Sequence, residues 1–174
     1  SDANGRGLQR LTSDGQNISP IWTADSRRVI YASRQDGPFS LFAKTVGEAA
    51  AAAVAIRATP SAQFPASAGA DGLVYVDVNA SGAQPRTGLD LWFLPWTSGA
   101  PQPLVRTAAD ETSGVISPDG RWLAYQSNGP GAWTAMIAAR QGAGSGAERG
   151  PLRVATTDGA RLAWSPDGRY LLFT

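Results

Sequence analysis

Ser117-Pro118-Asp119-Gly120-Arg121-Trp122-Leu123-Ala124-Tyr125 is the stretch on which the fold turns. It returns as Ser165-Pro166-Asp167-Gly168-Arg169-Tyr170-Leu171-Leu172-Phe173. Weaker copies are Thr23-Ala24-Asp25-Ser26-Arg27-Arg28-Val29-Ile30-Tyr31 and Ala70-Asp71-Gly72-Leu73-Val74-Tyr75. Asp25, Asp71, Asp119 and Asp167 follow one another at intervals of 46, 48 and 48 residues. A period of about 40–50 residues marks an array in which each repeat is one supersecondary unit.

Each position of the phrase has a physical reason. Ser accepts a hydrogen bond from the backbone, Pro presets φ at about −65°, and Gly tolerates the exit of a type I turn. The runs that follow, Trp122 to Tyr125 and Tyr170 to Phe173, are apolar on both faces. That predicts a strand packed between two neighbouring sheets. Ile21-Trp22 and Ala163-Trp164 lie just upstream, so the unit is a hairpin with a short inner strand. Gly-containing loops over 34–38, 79–88 and 128–131 lead to third strands at 39–43, 89–95 and 133–139. Fourth strands at 8–12, 54–59, 104–107 and 152–156 carry Arg10, Arg57, Arg106 and Arg153. Charge on an outer edge blocks edge-to-edge pairing, which is the role expected of these arginines. Glu48 with Ala49 to Ala53 is the one helix-friendly stretch, and it is too short to hold a helix alone.

Four strands per repeat describe a propeller blade. The predicted fold class is all-β: a single partial β-propeller over 1–174, built of four-stranded antiparallel blades. Full blades are expected at 18–59, 64–107 and 114–156, with the outer strand of a preceding blade at 8–12 and the first half of a further blade at 161–174. That makes about three and a half blades. Ser117, Pro118, Asp119, Gly120, Ser165, Pro166, Asp167, Gly168, Asp25 and Asp71 are assigned to the turns, and Trp22 and Trp164 to the core between blades. The second repeat lacks both the Trp and the Ser-Pro, and the first has Ser26 where Gly stands elsewhere. The chain opens at Ser1 without methionine and stops at Thr174 inside an apolar run. A piece of a longer polypeptide is expected, with bare end faces open to self-association.

Composition narrows the chemistry. Apolar residues make up 43% and there are six tryptophans, enough for a core. Net charge is +1, with 14 Arg and the single Lys44 and no basic block, so nucleic acid and direct membrane insertion are not expected. With no cysteine or histidine in the chain, disulfides, imidazole metal sites and Ser-His-Asp triads are excluded. No Gly-x-Ser-x-Gly elbow occurs. Asp110-Glu111 is an adjacent acid pair, too few ligands for Ca²⁺. No cofactor is expected. Loops entering the inner strands face the channel mouth of a propeller, which makes Asn17, Gln63, Thr112 and Arg161 the candidate binding residues.

The strings WSPDGRYLLF and SPDGRWLAYQSN resemble the TolB-like propeller repeat, a WD-like repeat of bacterial envelope proteins. The order LTSDGQNISPIWTADSRRVIYASRQDGPFSLF, TGLDLWFLPW, QPLVRT is similar to propellers placed C-terminal to a serine/threonine kinase or winged-helix module in bacterial signalling proteins. The resemblance covers essentially the whole chain. It implies a six- or seven-bladed ring, periplasmic or otherwise extracytoplasmic, without enzymatic activity, that binds a protein, peptide or small ligand. The alternative is the gating propeller of a prolyl-oligopeptidase-type serine peptidase, whose catalytic domain would lie outside this chain.

Overall fold

A computed structural model describes residues 10–48, 52–78, 88–129, 131–140, 150–157 and 161–173. Fourteen strands among them form four antiparallel sheets, each ordered as the chain runs. The first blade holds β1 (Gln16–Trp22), β2 (Arg28–Arg34), β3 (Ser40–Thr45) and β4 (Val54–Arg57). The second holds β5 (Ala62–Ala68), β6 (Gly72–Val78), β7 (Leu89–Pro95) and β8 (Gln102–Val105). The third holds β9 (Glu111–Ile116), β10 (Trp122–Ser127), β11 (Thr134–Ala139) and β12 (Leu152–Thr156). A two-stranded sheet of β13 (Leu162–Trp164) and β14 (Leu171–Phe173) follows. Of the edge strand expected over 8–12, residues 10–12 carry no strand, and 8 and 9 lie outside the described residues. The helix-friendly stretch falls partly outside them too, and Glu48, Ala52 and Ala53 are not helical. No described helix is long and apolar enough to cross a membrane.

The turns explain the repeat atom by atom. Ser117 Oγ donates to Asp119 Oδ1 and accepts the Trp122 amide at 3.0 Å, while the Gly120 amide closes on Ser117 O at 2.8 Å. Ser165, Asp167, Gly168 and Tyr170 repeat the pattern, with the same 3.0 and 2.8 Å contacts. So do Thr23, Asp25, Ser26 and Arg28, a threonine hydroxyl serving as well as serine. These hydrogen bonds, led by the hydroxyl, hold the carboxyls of Asp25, Asp119 and Asp167 below the ordinary aspartate range. The fourth residue needs a left-handed backbone: Gly120 and Gly168 sit at φ 74° and 71°, and Ser26 adopts 56° in their place. The eroded second repeat uses its aspartate differently. Asp71 Oδ2 reaches Arg140 Nη1 of the third blade at 2.6 Å, and that guanidinium lies 4.1 Å over the Phe93 ring.

Blades pack face to face, and the alternation along β6 shows how. Leu73 and Tyr75 join Ile30 and Leu41 in a core between the first two blades. Val74 and Val76, pointing the other way, join Leu123 and Tyr125 between the second and third. A third, smaller core brings Ala124, Ala135 and Leu162 together, with Trp164 and Leu171 against it. Successive side chains of one strand thus serve two interfaces, which is why β6 is apolar from Leu73 to Val76. Close approach is built in: a Cβ on Gly72 would collide with the Phe93 ring.

Trp164 takes its expected place, donating Nε1–H to Val115 O at 3.1 Å. Trp22, its repeat equivalent, does not: it is 55% exposed, because the described residues put no sheet against that face of the first blade. The arginines also depart from the expectation of edge charges. Arg57 is half-buried beside Tyr75, and Arg106 Nε lies 3.5 Å from the buried Asp90 carboxylate. Arg153, on β12, is exposed as an edge residue should be.

Candidate functional site

β1, β5 and β9 are the first strands of their sheets, and all three break register at the same height. Ile18 pairs with Ala32 and Ile21 with Ile30, so Ser19 and Pro20 together oppose Tyr31. Ala66 is the extra residue in β5. Ser113 and Gly114 together oppose Tyr125 in β9. An inserted residue bends its strand and re-aims the side chains. Two of these bulges carry a cost: Ser19 and Ser113 sit at φ 53° and 55°, where a side chain is strained by about 1 kcal/mol or more. The second and third bulges are tied together, Ser67 Oγ donating to Gly114 O at 2.8 Å.

The bulges border one concavity of about 430 Å³, to which β1, β5 and β9 and the start of β13 all contribute. Pro20, Phe64 and Pro65 supply apolar wall, Ser19, Thr112 and Ser113 supply hydroxyls, and Arg161 is the one charged side chain in the lining among the described residues. Thr112 and Arg161, expected at a channel mouth, are therefore brought together here. Asn17 and Gln63 are not. Asn17 borders a separate hollow of about 420 Å³ with Tyr31 and Phe42, and donates to Asp14 O at 2.7 Å. Gln63 is fully buried and donates to Asp77 Oδ2 at 2.8 Å.

Register explains the split. Asn17 pairs with Ser33, Gln63 with Asp77 and Glu111 with Ser127, so Glu111 and not Thr112 is the third member of that series. Counting eight residues back from each repeat aspartate would have found it. The Glu111 side chain is fully buried: Oε1 accepts from Thr107 Oγ1 at 2.5 Å, and Oε2 has no hydrogen-bond partner. Burial, aided by the Asp90 charge, pushes its carboxyl above the ordinary glutamate range. Neighbouring Asp110 is occupied, accepting from Leu89 N at 3.0 Å and from Asn128 Nδ2 at 2.9 Å. Among the described residues no three His, Cys, Asp or Glu side chains gather to hold a metal. Among the described residues, the geometry at the first strands is that of a lined recess with one cation.

Sheets of four antiparallel strands, stacked face to face with their first strands sharing one recess, define a β-propeller arc. No family model matches the chain, and no curated protein matches it. Among solved structures it is similar to a protein assigned as TolB from Agrobacterium tumefaciens, with a TM-score of 0.66 and 16% identity over 87% of this chain and 51% of that one. It is also similar to TolB from Acinetobacter baumannii, with a TM-score of 0.48 and 15% identity over 92% of this chain and 49% of that one. The chain spans about half the length of these structures. Its fold is a TolB-like β-propeller, and what it contains is part of one.

Proposed function

We propose that this chain is a non-catalytic stretch of β-propeller that binds a protein or peptide for a larger bacterial envelope or signalling protein. The observation that carries the reading is the shared recess: four successive repeats each lend a segment to one lined concavity. Fold alone does not fix a task, so the reading rests on that site. Its size lies within the range of ligand pockets, about 300–1,000 Å³. The resemblance of the repeats to propellers that follow kinase or winged-helix modules supports a parent among signalling proteins of the periplasm or another extracytoplasmic compartment. The exposed apolar side chains of Trp22 and Leu172, on the first and last described sheets, give the chain a route to self-association. Light scattering on the 174 residues decides that point, and a cooperatively unfolding monomer removes it.

Binding itself is tested by blocking the recess. Thr112→Trp fills it from β9, at a position that belongs to none of the three blade cores. A partner captured from bacterial envelope extract by the unaltered chain, and lost with Thr112→Trp, supports the reading. A partner held equally by both, or none held by either, overturns it.

A further inference from the structure

Resting on that reading, we infer that the recess takes the free carboxylate at the end of a peptide chain, with Arg161 as its counter-ion. Arg161 is exposed, is the only charged side chain in the lining among the described residues, and makes no ion pair with any of them. Among the described residues no acidic side chain shares the lining. The guanidinium presents a planar fork that matches a carboxylate two bonds at a time. Thr112 adds a hydroxyl that either donates or accepts, the Ser113 hydroxyl donates to Gln126 Oε1 at 3.4 Å, and Phe64 and Pro65 offer apolar wall for the residues behind the terminus.

Backbone strain points to the same surface. Three described residues other than glycine have positive φ. Ser26 has a local reason, since it replaces the glycine of a repeat turn. Ser19 and Ser113 take theirs from the bulges, and both lie on the recess at equivalent points of the first and third repeats. Strain of this kind persists where the surroundings over-determine it and collects at ligand clamps. A recess of about 430 Å³ accommodates a few residues of an extended chain and not a folded surface.

The test uses the immobilised 174-residue chain and a degenerate library of N-acetylated tetrapeptides in two forms, free acid and carboxamide. Charge-assisted hydrogen bonds from Arg161 lead to retention of the acids over the amides by about tenfold or more. Arg161→Gln should abolish that preference, while Arg161→Lys should keep part of it. Both variants should fold, because Arg161 has no ion-pair partner among the described residues to lose, and circular dichroism checks this. Acids and amides retained equally would overturn the carboxylate assignment while leaving peptide binding intact. Amides carrying Asp or Glu retained as well as the acids would overturn the chain-end assignment in favour of an acidic side chain. Displacement of the acids by millimolar acetate alone would overturn it in favour of a small free carboxylate. Retention of neither form would overturn it outright, and capture by the Thr112→Trp variant then tests partner binding separately.

Discussion

β10 and β14 leave near-identical Asp-Gly corners, yet their surroundings differ sharply. Ala124 and Tyr125 in β10 are 0% and 3% exposed, whereas their repeat equivalents Leu172 and Phe173 in β14 are 58% and 44% exposed. The corner is the same in both, down to a 2.8 Å closing bond and a 3.0 Å hydroxyl contact. What differs is the company. β10 lies between β9 and β11, in a sheet with cores on both faces, while among the described residues β14 pairs with β13 alone and meets a core on one face. Local turn chemistry is thus carried by each repeat, while burial belongs to neighbours.

That contrast is open to measurement. The largest effect is expected from Tyr125→Ala, at about 3–5 kcal/mol, because an aromatic ring is removed from a packed core. Phe173→Ala should cost under about 1 kcal/mol, as a half-exposed ring leaves little cavity. Urea unfolding of the two variants reads the difference, and equal losses would break the comparison. Next comes Gly72→Ala, for which a Cβ would also meet Leu94 O at 2.5 Å. Overpacking against backbone should cost about 1–3 kcal/mol, and an unchanged midpoint would show that the second and third strands of a blade can move apart.

The turns sharpen the contrast from the other side. Ser117→Ala and Ser165→Ala each remove a hydroxyl that both donates and accepts, for about 1 kcal/mol apiece. Equal costs in the two blades would confirm that turn energy is local, and a much larger cost at Ser117 would tie it to burial. The smallest effect concerns pH. The carboxyl of Glu111 is raised by burial, so the folded state holds its proton to higher pH than the unfolded chain does. Its contribution therefore favours folding most below the ordinary glutamate range and weakens as pH rises through the raised value. Glu111→Gln should flatten the stability profile across that window, and a profile of unchanged slope would place the proton elsewhere. The turn aspartates act oppositely: their lowered values give stability above the ordinary aspartate range that is lost on acidification.

Much of the blade is legible residue by residue. Third strand Leu89–Pro95 and fourth strand Leu152–Thr156 fall where turn signals and apolar runs place them. The recess is only half visible in the same way. Thr112 and Arg161 reach it, whereas Gln63 is buried and Asn17 lies apart. Alternation is the reason: Thr112 stands one place past Glu111, the repeat equivalent of Asn17 and Gln63, and successive side chains of a strand face opposite ways. The left-handed serines are likewise hidden, since nothing in Ser19 or Ser113 as letters demands positive φ.

The amino-acid order by itself determined the strands, their sequence within each blade and the corners between them, because these rest on contacts a few residues long. Only the tertiary structure decided that Trp164 is bonded and Trp22 exposed, that Glu111 is a buried acid, and that Arg161 is the single charge lining the recess among the described residues. Those outcomes depend on which blade lies across the interface, and sequence neighbours carry no record of that distance.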